Sequence, residues 1–208
     1  MMNRQETIQY LEKVKLNKGK IAHSIQVADV GINIAQAYQK AGYSVDIDLV
    51  EFSCLVHDIG IAKTIDDESP VHLVYGAEMA KAAGFGDSVV EAIEGHECCG
   101  LLGEEAMLLG LPAPVKESYI PQSLEAKIVA FADMLVFLLL EFNCDPWKDI
   151  NIAKTALYAH YLSNVWRKLH NEELGNSNEH MNALMSRYLK VCEQMLPYAD
   201  KEFILSCQ

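Results

Sequence analysis

Apolar residues recur along this chain at intervals of three and four, the spacing that lines one face of a helix. Ile21, Ile25, Ala28, Ile32 and Ala35 form one such row, and His23 begins a parallel row with Val27, Val30 and Ile34 at the edge of the buried face. Gly42 stops that helix. Asp48, with Glu51 three residues on, reads as a capping box for a second helix, which runs through an apolar stretch to Asp58 and ends at Ile59-Gly60. An acidic loop, Thr64 to Ser69, leads to Ser69-Pro70, a helix start with proline in the first position. His72 falls in the first turn of that helix, Gly76, Met79 and Ala83 continue its face, and Gly84 closes it. Asp87-Ser88 opens the next helix, where Val89, Ile93 and His96 share the inner side.

Residues 97 to 122 hold three glycines and three prolines and read as a long loop with one short helical turn, Glu104 to Leu109. Loops of that length are usually functional or mobile. Ser123 then caps a long apolar helix in which Val129, Asp133, Val136, Phe137 and Leu140 share a face. Two amphipathic helices follow, at about 150–173 and 178–196. The pattern predicts an all-α fold in a single domain, 1–208, with no internal repeat.

Composition narrows the setting. Half of the 208 residues are hydrophobic and 22% are charged, which supports a real core. The apolar run Ile128 to Phe142 carries Asp133 and Glu141 and falls short of a membrane span. The amino terminus has no signal-peptide pattern, so the expectation is a cytoplasmic protein without a membrane partner. The net charge of −12 argues against binding a nucleic-acid backbone. Only three arginines occur (Arg4, Arg167, Arg187), so any phosphate would need positive charge from bound metal. Six cysteines show no C-x-x-C spacing and read as free thiols, Cys98-Cys99 among them. Met181, Met185, Leu184, Cys192 and Met195 read as core of the last helix pair, or, if exposed, as the face of a homodimer.

The candidate chemistry lies in the series His23, His57-Asp58, His72, His96, Asp133, four imidazoles and two carboxylates drawn from five helices. Each histidine alone reads more readily as a satisfied core or surface residue, and His160, His170 and His180 on mixed faces keep that reading. Asp133 alone would be a buried partner for a lysine such as Lys127. Together the six suit first-row metals. They exceed what one open catalytic metal needs, so two metals sharing a bridging carboxylate is the natural count, with Asp58 the best bridge. Two divalent ions about 4 Å apart repel by about 17 kcal/mol at an effective dielectric near 20, so a bridging anion is required. Two aspartates against two such ions leave a positive surplus that would attract a phosphate and acidify a bound water.

His23, Val-His57-Asp58-Ile-Gly60, His72-Leu-Val-Tyr-Gly76-Ala-Glu, Glu94-Gly-His96 and Ala-Lys127-Ile-Val-Ala-Phe-Ala-Asp133 together resemble, in order and spacing, the HD-domain superfamily of metal-dependent phosphohydrolases. The His72 and Asp133 segments are most similar to the binuclear branch, which includes bacterial diadenosine tetraphosphate hydrolases. The resemblance covers about residues 19–143 and implies an HD-domain helical bundle; residues 144–208, expected as a C-terminal helical extension, lie outside it.

The resemblance implies one metal held by His23, His57, Asp58 and Asp133, and a second by Asp58, His72 and His96. The ions would be divalent or mixed-valent: iron or manganese first, with zinc, cobalt, nickel or magnesium as alternatives. The implied reaction is attack by a metal-bound hydroxide on the phosphorus of a small phosphorylated metabolite such as a nucleotide. Many members carry lysine directly after His-Asp-x-Gly; this chain has Ile61 there and Lys63 two positions on, so Asp58 and Lys63 are the expected catalytic residues. After His96 the chain reads Glu-Cys-Cys-Gly, which departs from the second histidine or the threonines often found there.

Two other readings remain: a di-iron oxygenase acting on a small organic substrate, and a non-catalytic regulatory module. Oxygenases of this type place a lysine a few residues beyond the fourth histidine, and residues 97–103 offer none. Degenerate modules usually lose ligands, and all six are present.

Overall fold

In the computed structural model the described residues are 2–64, 71–108, 110–111, 116–141, 143–149 and 177–207. They form helices α1 (Arg4–Lys13), α2 (Lys18–Lys40), α3 (Ile47–Val56), α4 (Val71–Ala82), α5 (Asp87–Gly95), α6 (Gly103–Leu108), α7 (Leu124–Val136), α8 (Ser177–Met195) and α9 (Lys201–Leu205). Among the described residues there is no strand, only an isolated bridge between Leu102 and Ser118. The all-α expectation therefore stands. No described helix is long and apolar enough to cross a membrane.

Helix α2 packs on α3 and α7, α3 also on α7, and α5 joins α4 to α7. Val27, Val30, Ile34, Leu55, Val129, Phe131 and Leu135 fill one core, which Leu184, Met185 and Tyr188 of α8 complete. A second core, with Leu11, Phe52, Val56, Ile59, Ala80 and Ile93, seats α1 and α4. Met185, Cys192 and Met195 are buried, so they are core side chains and not an exposed stripe. Cys54, Cys99, Cys144, Cys192 and Cys207 are free thiols, and Cys54, Cys99 and Cys192 are buried.

Several helix ends differ from the pattern reading. Helix α1, absent from that reading, is closed by a capping box between Asn3 and Glu6, a signal that four residues of sequence already carry. The cap of α3 is Asp46, whose carboxylate accepts from the Leu49 amide at 2.9 Å, and not Asp48. Glu51 instead accepts from Arg4, whose guanidinium donates to it at 3.0 Å. Helix α3 stops at Val56 rather than Asp58, and a 3-10 turn, Ile59–Lys63, follows. Ser123 caps α7 as expected, accepting from the Ala126 amide. Beyond Val136 the apolar run continues only as a π-helical turn, Phe137–Glu141. The helix expected over about 150–173 lies outside the described residues, as does most of the acidic loop with Ser69-Pro70.

The described residues of the 97–122 segment hold little regular structure beyond α6 but are well tied. The Tyr119 amide donates to the Leu101 carbonyl at 2.7 Å and the Gly103 amide to that of Glu117 at 2.9 Å. Glu91 of α5 accepts from the amides of Gln122 and Ser123 and from the Ser123 hydroxyl, which joins the end of this segment to α7. Buried Glu105 of α6 pairs with Arg187 of α8.

Among the described glycines the tightest packing is between the 3-10 turn and α4. A Cβ on Gly60 would lie 1.9 Å from the His72 carbonyl oxygen and 2.5 Å from the Gly76 nitrogen; one on Gly76 would lie 2.7 Å from an Ile93 methyl. Two bare backbones are thus needed to bring His72 beside Asp58. Substituting Gly60→Ala should destabilise the protein by about 2–4 kcal/mol, because the obstructing atoms are backbone and cannot turn aside. Urea unfolding of the two proteins measures this, and a change below about 1 kcal/mol, near the size of surface substitutions, would show that the contact yields.

Candidate metal centre

The two histidines that follow helices α3 and α5 are placed by the same device. The last carbonyls of a helix have no partner within it. The His57 ring turns back so that Nδ1 lies 2.7 Å from the Cys54 carbonyl, and His96 does the same to Ile93 at 2.8 Å. A carbonyl oxygen only accepts, so Nδ1 carries the proton in each ring, and Nε2 of the neutral ring presents a lone pair inward. Carbonyl-anchored imidazoles of this kind are what metal ligation asks for.

His23 comes from the first turns of α2, His72 from the first turn of α4, and Asp133 from α7. The structure brings all six expected ligands together. Around Asp133 Oδ1, His23 Nε2 lies at 2.9 Å and His57 Nε2 at 3.5 Å. Asp58 turns its two oxygens to different neighbours: Oδ2 is 3.6 Å from His57 Nε2, whereas Oδ1 is 3.6 Å from His72 Nε2 and 3.5 Å from His96 Nε2. His72 and His96 present their Nε2 atoms 3.1 Å apart. Donors about 2.0–2.3 Å from one ion lie about 3–3.5 Å from one another. Three groups of donors, His23–His57–Asp58, His57–His96–Asp133 and Asp58–His72–His96, meet a metal-holding spacing.

The donor chemistry fits a transition metal. His57 is fully buried, its Nδ1 proton is used, and its Nε2 is buried with no hydrogen-bond partner among the described residues. An orphaned nitrogen lone pair aimed at two carboxylates is costly unless a cation satisfies all three. His23, His57, Asp58, His72, His96 and Asp133 are thus the residues that could hold metal.

Two charged side chains at the cluster escaped the sequence reading. Lys20 places Nζ 3.3 Å from Asp58 Oδ2, and Glu97 places Oε2 3.7 Å from His72 Nε2. Lys20 precedes His23 by one helical turn, so the helical period was the signal for it; Glu97 is the residue after His96. Lys63, in contrast, is turned to the face of the Tyr75 ring, 5.9 Å from its centre. The lysine that the fold brings to Asp58 is Lys20 and not Lys63. Asp133 pairs with histidines rather than with Lys127.

A family model described as the HD domain matches residues 21–138, more than half of the chain. The chain belongs to the HD domain family. All six clustered residues fall inside the matched part of the HD domain. The chain is 39% identical over 117 residues to an uncharacterized protein of Methanocaldococcus jannaschii, covering 56% of this chain and 66% of that one. It is 36% identical over 131 residues to a tRNA (cytidine(56)-2'-O)-methyltransferase of Picrophilus torridus, covering 61% of this chain and 35% of the relative. With the Ribonuclease Y of Borreliella afzelii it shares 32% identity over 116 residues, 55% of this chain and 18% of the relative. The chain thus spans less than two thirds of the length of each of these relatives. Among solved structures, the HD domain of the L. monocytogenes phosphodiesterase PgpH aligns with 93% of this chain and all of that one, at 16% identity and a TM-score of 0.48.

The electrostatics of the HD cluster set a pH dependence for the metal-free chain. Burial opposes charge on His57, but the adjacent Asp58 and Asp133 carboxylates outweigh it and raise its pKa above the ordinary 6.5. Burial likewise opposes ionisation of Asp58 and Asp133. For Asp58 the opposing partners are His57, His96, Lys20 and His72, and for Asp133 they are His23 and His57; both pKa values are held below the ordinary 3.8. The His57 contribution is full below its unfolded pKa and is lost as pH rises through the higher folded value; the aspartate contributions are full above theirs and are lost as pH falls through the lower folded values. Metal-free protein should therefore melt highest between roughly pH 4 and pH 6.5, and lower on either side. Thermal melts in excess chelator measure this, and a melting temperature that climbs steadily from pH 5 to pH 9 would contradict it.

Proposed function

We propose that this chain is a metal-dependent phosphohydrolase that uses two transition-metal ions, iron or manganese first, to cleave a phosphate ester or anhydride in a small metabolite of the nucleotide kind. The observation that carries the reading is the division of Asp58, one oxygen toward His57 and the other toward His72 and His96. Divalent ions bound there supply Lewis acidity toward phosphate oxygens and lower the pKa of a coordinated water.

The chain's own residues do the rest. Asp58 and Asp133 fix the charge balance, leaving net positive charge for an anionic substrate. Backbone-anchored His57 and His96 hold their rings without reorganisation when substrate enters. Among the described residues Arg4 is committed to Asp29 and Glu51 and Arg187 to Glu105, whereas Lys20, paired with Asp58, adds a cation at the cluster. A relative named Ribonuclease Y brings a phosphodiester into view as a substrate. The net charge of −12 favours a small molecule over a long nucleic acid.

Metal-loaded protein should release phosphate or cleave the ester from at least one member of a panel of nucleotides, dinucleoside polyphosphates, a short oligoribonucleotide and a chromogenic phosphodiester. Asp58→Ala should lower that rate by more than about a hundredfold. Lys20→Ala should keep its metal and raise KM by about tenfold, the loss of one charged hydrogen bond. Oxygen uptake without phosphate release would replace this reading with the oxygenase. Bound metal with neither activity on the whole panel would favour the regulatory module.

A further inference from the structure

We infer that Glu105 and Arg187 are positioning residues for the substrate side of the metal centre: through their ion pair helix α8 holds the chain after His96 as a fixed wall, on which the nucleoside part of a substrate rests. The inference deepens the proposed function and rests on its nucleotide-like substrate.

The wall starts at the site. His57, Asp58, His72 and His96 are enclosed, whereas the side chain of Glu97, the next residue, is 21% exposed. A substrate larger than phosphate that reaches the centre from this open side passes the chain that follows Glu97. That chain is fixed by backbone contacts. The Cys99 amide donates to the His96 carbonyl at 3.1 Å and the Gly100 amide to that of Glu97 at 2.8 Å. Gly100 has a φ of 106°, and a Cβ there would lie 2.6 Å from the Ile120 Cα, so a bare backbone lets the outgoing and returning stretches meet. The Tyr119–Leu101 and Gly103–Glu117 hydrogen bonds then tie the two stretches together. Leu102 and Met107, both exposed, give this part of the chain apolar surface suited to the face of a base.

One carboxylate oxygen carries the hold. Glu105 is the third residue of α6, and its Oε2 accepts from the Leu102 amide at 2.7 Å, the return arm of a capping box, while it also pairs with the Arg187 guanidinium of α8. Around this contact Leu101 and Ala106 share an apolar core with Leu184, Met185 and Tyr188, and α8 packs on the Glu97–Cys99 turn as well. Apolar contact has no direction and tolerates sliding; a buried ion pair fixes the register. Glu105 is 4% exposed, and its Oε1 and the Arg187 Nε are buried with no hydrogen-bond partner among the described residues, so neither charge has a second counterpart there. Arg187 lies beyond the 21–138 part that matches the HD domain, so the hold comes from the C-terminal helix and not from the family core.

The test compares manganese-loaded, full-length wild type with Arg187→Met, Glu105→Gln and Arg187→Lys, and with Arg4→Met, which breaks the ion pairs of α1 with α2 and α3 instead. Hydrogen–deuterium exchange is followed over residues 99–103 and 117–119, and calorimetry measures binding of inorganic phosphate and of α,β-methylene-ADP, whose bridging carbon resists hydrolysis. Arg187→Met and Glu105→Gln should keep their manganese, hold phosphate within about twofold of wild type, exchange more than about tenfold faster and bind the nucleotide analogue about tenfold more weakly. Arg187→Lys should restore most of both properties, and Arg4→Met should change neither. Thermal melts establish that each variant folds; Glu105→Gln, equal in size to the native residue, serves if Arg187→Met does not. Wild-type exchange or wild-type nucleotide affinity in both variants would overturn the inference and leave the proposed function intact. Equal losses of phosphate and nucleotide affinity, the same changes in Arg4→Met, or a wild type that binds the analogue no more tightly than phosphate would overturn it too. A wild type that binds neither ligand removes the proposed function as well.

Discussion

A carboxylate buried to 4% exposure, Asp58, stands at the centre of this protein with histidines on both sides and a lysine against one oxygen. Burying that charge is costly, and the fold accepts it only because five elements deliver compensating groups to the same point. Helix α2 brings His23 and Lys20, the end of α3 brings His57, α4 brings His72, the end of α5 brings His96, and α7 brings Asp133 opposite. Much of the helix packing, from the two cores to the glycine contact between the 3-10 turn and α4, can be understood as what keeps this convergence in register.

Helix ends serve here as ligand holders. Unpaired carbonyls at the ends of α3 and α5 would need water or a cap; in this chain one at each end accepts a hydrogen bond from the imidazole just beyond it. One hydrogen bond thereby satisfies the helix, selects the tautomer and aims Nε2 inward. Because the carbonyl partner is backbone, its position does not depend on any neighbouring side chain. The centre is closed around His57, Asp58, His72 and His96 and more open at Lys20, Asp133 and Glu97.

Most of this was legible in the residues, for a physical reason. The helical period placed His23, His96 and Asp133 on inward faces, and glycines at 42 and 84 were read correctly as helix stops, since both adopt positive φ. Competition between nearby polar groups was not legible. Asp46 and Asp48 are both good caps by residue type; the folded chain uses Asp46, and Glu51 pairs with Arg4 of another helix. Lys63 looked like the lysine of the site because it follows His57-Asp58 in sequence, yet a 3-10 turn rotates it onto Tyr75, and Lys20 reaches Asp58 from a different helix. Proximity along the chain is a poor guide within a tight turn, where each residue changes direction by about 120°.

The central claim is that the two oxygens of Asp58 belong to two different ions. Anomalous scattering from crystals equilibrated with manganese tests it most directly. The account predicts two manganese peaks, one on each side of the Asp58 carboxylate, the first among His23, His57 and Asp133 and the second between His72 and His96. A single peak with Asp58 bound through one oxygen, or imidazoles facing one another across a centre without density, would contradict it.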